Sequence, residues 1–213
     1  MKRRSVMGFG VGLGAMAGSG LPNWSYAAAS LDAARHDHVL PKGVKVSVTD
    51  YVLPAVWLVR EDGQRVSLAS ELNDGRPVVL NFIYTTCPGI CPVMSAVFSQ
   101  FQGRLGTERE KVHMVSISID PEQDTPARLR EYAKRFSAGP QWSHYTGSVA
   151  ASATVQRAFD AYRGDKMSHD PLTLMRPAPG KPWLRVDGFA SADDLLSQYL
   201  SLAEVCSGST ASK

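Results

Sequence analysis

An α/β domain, with a mixed and mostly parallel central sheet flanked by helices, is the fold class this sequence predicts. Three observations carry it. Residues 77–84 (PVVLNFIY) and 112–119 (VHMVSISI) are nearly continuous apolar runs rich in β-branched and aromatic side chains, as expected of strands buried on both faces. Apolar residues at helical spacing follow each run: Val93, Ala96, Val97, Phe98, Phe101 and Leu105 after the first, Leu129, Tyr132, Ala133 and Phe136 after the second. Cys87 and Cys91 stand at the first strand-to-helix junction. Strands that alternate with helices build parallel sheets, and a cysteine pair at that junction suits a thioredoxin-like fold.

The remaining elements fall in order around this centre. Residues 55–59 (AVWLV) and 66–68 (VSL) flank Glu61-Asp62-Gly63, the pattern of an N-terminal β-hairpin extension. Asp120-Pro121 closes the second buried strand. Thr125 suits a helix N-cap and Pro126 the first helical position. A further helix is expected over residues 149–162, short strands at 172–174 and 183–186, and a closing helix at 191–202. Residues 175–183, with four Pro or Gly among them, read as a loop.

Composition bounds the rest. The 213 residues are 44% hydrophobic and 20% charged, enough for one sizeable core. The net charge is +3, and Lys2, Arg3 and Arg4 supply a cluster of it; no basic stripe points to nucleic acid. Residues 1–29 read as a signal peptide: the basic start, a mildly apolar stretch diluted by Gly8, Gly10, Gly12 and Gly14, and small Ala27, Ala28 and Ala29 for cleavage. The adjacent arginines fit a twin-arginine or a general secretory signal. The apolar run falls short of the roughly 20 residues of a membrane span. Residues 30–45 read as a flexible lead-in, 46–205 as the folded domain and 206–213 as a tail. The domain is expected outside the cytoplasm, where disulfides are permitted.

The chemistry lies in the cysteines. Residues at i and i+4 share one helix face, so both sulfurs can converge on one point. A helix N-terminus favours the thiolate, the form that binds metal or attacks a disulfide. A structural disulfide and a zinc site are competing readings, although a closed zinc site wants four N or S ligands and the remaining cysteine, Cys206, lies far along the chain. Thioredoxin-type redox enzymes use C-x-x-C; here one more residue intervenes. Two thiolates suit a soft, low-coordinate ion such as Cu(I), and a neutral imidazole would complete a trigonal site able to hold Cu(II) as well.

The run Asn81-Phe82-Ile83-Tyr84-Thr85-Thr86-Cys87-Pro88-Gly89-Ile90-Cys91-Pro92 closely resembles the signature of the Sco/SenC copper proteins. Residues 116–126 (SISIDPEQDTP) resemble that family's second motif. The resemblance covers roughly residues 45–205. It implies a thioredoxin-like fold with an added hairpin, and one copper ion, Cu(I) or Cu(II), held by Cys87, Cys91 and a distal histidine. His169 stands at the matching position, in Gly164-Asp165-Lys166-Met167-Ser168-His169-Asp170-Pro171, which departs from the family's aromatic-rich D-Y-x-V-D-H-S segment. The resemblance further implies a role in maturing the copper site of cytochrome c oxidase, with the oxidase copper-site subunit, other copper chaperones or thioredoxin-like reductants as partners. The implied location is the bacterial periplasm at the inner membrane, contacted peripherally or through an uncleaved signal.

Other candidates carry less. His113 reads as a core or edge residue of a buried strand, His144 as part of a surface segment, and His36 and His38 as lead-in. Met94 and Met167 read as core filler. Asp120, at the C-terminal end of a central strand, can orient His169 or a partner from the second coordination sphere. Two function classes remain: a metallochaperone that needs Cys87, Cys91 and His169, and a thiol–disulfide oxidoreductase or redox sensor that needs only the cysteine pair.

Overall fold

The computed structural model describes residues 40–208, with side chains through residue 202. The signal peptide, most of the lead-in and the last five residues lie outside the described set, as does the side chain of Cys206. The strands are β1 (Lys45–Thr49), β2 (Trp57–Arg60), β3 (Arg65–Ser67), β4 (Val78–Ile83), β5 (His113–Ser118), β6 (Trp142–Thr146), β7 (Leu172–Arg176) and β8 (Trp183–Asp187). The helices are α1 (Leu68–Leu72), α2 (Ile90–Arg104), α3 (Pro126–Arg135), α4 (Val149–Ala158) and α5 (Ala192–Gly208). Among the described residues, no helix is long and apolar enough to cross a membrane.

All eight strands form one sheet, ordered β1-β8-β7-β4-β5-β6-β2-β3. Among the described residues, only β4 with β5 and β5 with β6 pair in parallel. The β1–β8, β8–β7, β7–β4, β6–β2 and β2–β3 pairs are antiparallel. The sheet is therefore mixed with a parallel centre, which corrects the mostly parallel reading. Burial on both faces marks a central strand in either direction, so the apolar runs could not supply the direction of their neighbours. Residues 177–182 only link β7 to β8, too short for a parallel crossover; strand β7 runs through Arg176, beyond the expected end.

Both faces of the sheet are covered, which is why every residue of β4 and β5 is buried. On one face Leu80, Phe82, Val115 and Ile117 meet Val155 of α4, the neighbouring Phe159, and Trp183. On the other, Val79, Met114 and Trp142 meet Phe98 and Phe101 of α2 and Leu195 and Leu200 of α5. A smaller cluster of Ile83, Tyr84, Cys91, Leu129 and Tyr132 sits under the cysteine loop and joins it to α3. Thr125 caps α3 as its sequence suggests, accepting from the Arg128 backbone N–H at 3.3 Å. Helix α4 ends at Ala158, short of the expected boundary, and Asp160 just beyond it has a φ of 52°.

The segment around His144 is the central strand β6 rather than surface. His144 is fully buried, stacked on Trp142 at 5.2 Å between ring centroids. Lys45, assigned to the lead-in, begins β1, which covers the free side of β8.

Candidate metal centre

The site follows from topology. The parallel strands β4 and β5 end together at Ile83 and Ser118, and α/β proteins place their chemistry at that carboxyl edge. Strand β7 runs antiparallel to β4, with Leu174 opposite Leu80 and Thr173 opposite Asn81. Its first residues therefore lie at the same edge. His169, two residues before the Pro171–Leu172 junction into β7, arrives beside the loop that leaves β4 with Cys87.

Cys87 precedes α2 and Cys91 lies in its first turn. The Cys91 backbone N–H donates to the Cys87 sulfur at 3.3 Å, so the thiol satisfies one of the orphan donors of the helix start. Cys91 is fully buried and accepts from the Tyr84 backbone N–H at 3.4 Å. Both cysteines are free thiols. Burial opposes ionisation of the half-buried Cys87, but hydrogen bonding led by the N–H groups of Cys91 and Gly89 outweighs it and holds the pKa below the ordinary thiol value. For Cys91 burial dominates, with Cys87 adding to it, and the thiol is pushed well up. The pair is asymmetric: one poised sulfur at the surface, one protected beneath it.

The loop itself is pinned by Asp124, which is fully buried. Its carboxylate accepts from the Thr85 backbone N–H at 3.2 Å, the Thr85 hydroxyl at 2.6 Å and the Ser118 hydroxyl at 2.6 Å. These bonds tie the start of the cysteine loop to the end of β5. Asp124 was visible in the sequence only as one letter of a motif; its role requires the fold that brings residues 85 and 118 together.

His169 is buried, not an exposed loop residue. It follows a short 3-10 turn, Lys166–Ser168, in which the Asp165 carboxylate accepts from the Met167 N–H at 2.9 Å. The His169 Nε2 lies 3.1 Å from the Phe82 carbonyl oxygen. A carbonyl only accepts, so this contact places the proton on Nε2 and leaves Nδ1 with a free lone pair. Among the described residues Nδ1 has no hydrogen-bond partner. Burial lowers the ring's pKa, with the Phe82 carbonyl acting in the opposite sense, which favours the neutral, metal-binding form.

Cys87 and His169 line one cleft of about 140 Å³ together with Tyr84, Pro88, Lys166 and Met167. Among the described residues no three of His, Cys, Asp and Glu stand close enough to form a ready metal cluster. The structure thus brings the predicted residues to one edge of the sheet, with Cys87 and His169 in one cleft and the Cys91 sulfur turned to the Tyr84 N–H. Asp120 makes no hydrogen bond to His169 among the described residues; its Oδ2 accepts from Lys166 Nζ at 2.6 Å. His113 is a core residue at the opposite edge of the sheet, 3.2 Å from the Glu71 carbonyl. Met94 is core filler, whereas Met167 is 62% exposed beside the cysteines, a departure from its expected role.

Comparison with known proteins identifies the family. The SCO1/SenC family model matches residues 50–178. The SCO1 protein homolog of Bacillus subtilis is 36% identical over 99 residues, 46% of this chain and 50% of the relative; the chain thus matches half of that protein's length. The solved structure of BsSco, described as a Sco-family cytochrome c oxidase assembly protein with a disulfide switch, superposes with a TM-score of 0.63 and 26% identity over 75% of this chain and 97% of that one. Copper-bound Arabidopsis thaliana ScoI superposes with a TM-score of 0.57 and 26% identity, over 70% and 96% of the two chains. With its fold, its paired cysteines and a family match over more than half its length, the chain belongs to the SCO1/SenC family.

Proposed function

We propose that this protein binds one copper ion through Cys87, Cys91 and His169, outside the cytoplasm, and passes it to the copper site of cytochrome c oxidase. The observation that carries the reading is the state of His169. It reaches the cysteine cleft as a neutral ring whose Nε2–H is engaged by the Phe82 carbonyl, leaving Nδ1 bare. Metal-binding histidines characteristically anchor their second nitrogen on such an acceptor. The donor set, two sulfurs and one imidazole, fits a soft ion. Copper would bring its Lewis acidity and its redox couple; the chain supplies a poised thiolate at Cys87, a second sulfur at Cys91 in the first turn of the helix that follows, and a pre-set tautomer at His169. Copper bound in the A. thaliana relative supports the assignment.

A second reading has its own support. The asymmetry between Cys87 and Cys91 suits thiol–disulfide exchange, with Cys87 attacking a partner disulfide and Cys91 resolving the mixed disulfide, and the BsSco relative is described as carrying a disulfide switch. In this reading the protein reduces the oxidase's copper-site cysteines or senses redox state, and His169 is dispensable.

An anaerobic Cu(I) titration of the reduced protein against a competing chelator separates the two. One tight copper per chain, lost in Cys87→Ser and Cys91→Ser and weakened in His169→Ala, supports the carrier. No tight copper, or binding indifferent to His169, favours the dithiol exchanger.

A further inference from the structure

We infer that Met167 supplies a third sulfur to this cleft, a thioether that holds Cu(I) at the mouth of the site as the ion enters or leaves the cysteine pair. The inference rests on the copper-binding reading above. Methionine side chains usually fill cores, and Met94, on the helix that carries Cys91, does so at 2% exposure. Met167 is 62% exposed, yet its sulfur is held. The Tyr84 hydroxyl donates to Sδ at 3.4 Å.

Tyr84, Cys87 and Met167 line one cleft. The thioether and the thiol therefore share that cleft, which His169 also lines. The cleft holds about 140 Å³, several times the ~10–15 Å³ that one water needs on that measure, so it has room for an ion. The backbone around Met167 is fixed rather than free: its N–H is held by Asp165, and the preceding Lys166 is tied to Asp120.

The chemistry suits transfer. A thioether is neutral, so no proton competes for it, and it is a soft donor that selects Cu(I) over the hard cations. It binds more weakly than thiolate, so a copper ion resting on Met167 and Cys87 would be exposed to an incoming ligand while Cys91 stays buried. Tyr84 occupies one lone pair of the Met167 sulfur and leaves the other for the metal.

The test uses the reduced protein with its methionine methyl groups labelled with 13C, the Met167 signal being assigned from Met167→Leu. One equivalent of Cu(I) is added anaerobically, and X-ray absorption counts the sulfurs around copper. The expected result is a shifted Met167 methyl resonance, one fewer sulfur neighbour in Met167→Leu, and a Cu(I) affinity about tenfold weaker in that variant, the scale of a lost supporting contact. An unmoved Met167 signal and an unchanged sulfur count, with tight copper still abolished by Cys87→Ser, would overturn the role of Met167 and leave the cysteine site standing. Failure of the wild-type protein to take up tight Cu(I) would overturn both.

Discussion

Lys166 sets its ammonium 2.6 Å from Oδ2 of Asp120, tying the turn that carries Met167 and His169 to the end of β5. The same ammonium lies 5.6 Å from the centre of the Tyr84 ring. Asp120 is buried and Lys166 more exposed, so water screens the ammonium while the buried carboxylate depends on it as a partner. Asp120→Asn should leave the melting temperature nearly unchanged but weaken Cu(I) by about tenfold, as loss of a supporting contact does. Lys166→Gln should weaken Cu(I) to the same extent, and the double variant should bind no worse than either single one, since both remove one interaction. Chelator competition on the four proteins checks this, and strictly additive losses would show that the two residues act separately.

Asp124 should matter more to the fold. Replacing it by Ala strands the Thr85 N–H and the Thr85 and Ser118 hydroxyls without their acceptor. Leaving buried donors unpaired costs about 1–3 kcal/mol each before relaxation or water entry. We expect Asp124→Ala to lose about 3 kcal/mol in urea unfolding, and Asp124→Asn clearly less because one acceptor oxygen remains. Hydrogen exchange should locate the loosening at Thr85 and the cysteine loop rather than at β5.

The strands β4 and β5 were legible because a buried strand must be apolar on both faces, and VVLNFI and HMVSIS nearly are. The helix after Cys87 and the cap at Thr125 were legible from local chemistry alone. Strand β6 was not: in WSHYT the Ser and His read as solvent-facing, whereas the Trp142 indole N–H finds the Ser116 hydroxyl at 2.9 Å and the strand is covered by β2. Edge strand β1 was hidden because much of it is exposed. In the site, the cysteines announced themselves by spacing. His169 was named only by its position in a family motif, and Asp124, Lys166 and Met167 acquire their roles from contacts with residues 39 to 83 positions away, which no local pattern records.

The cysteine asymmetry predicts ordered reactivity. With its pKa held below the ordinary thiol value by the Cys91 and Gly89 N–H groups despite burial, Cys87 is thiolate at a lower pH than a free cysteine. Cys91, buried and pushed up, stays protonated. Iodoacetamide should therefore modify Cys87 first, with a rate that rises through a midpoint below that of a cysteine peptide, and should reach Cys91 only under denaturing conditions. Mass spectrometry of digests over a pH series reads this directly; equal labelling of both sites at neutral pH would contradict the asymmetry.

His144 makes the fold sensitive to acid. Its ring is fully buried between Trp142 and Tyr132, and among the described residues neither nitrogen makes a well-formed hydrogen bond. Burial pushes its pKa from 6.5 down to about 3, offset only a little by the Trp142 backbone. The unfolded chain thus takes up a proton that the folded chain refuses, and stability falls as the pH drops from about 6.5 toward 3. His113 and His169, also lowered by burial, add to the slope. His144→Phe keeps a flat ring against Trp142 and removes both unpaired nitrogens, so it should stabilise the protein by about 1 kcal/mol at pH 7. Its advantage should widen at pH 5, because the variant no longer carries this proton linkage while the other histidines retain theirs. Urea unfolding of both proteins at the two pH values measures the effect, and a gap that stays constant between them would mean that His144 is not the group that titrates.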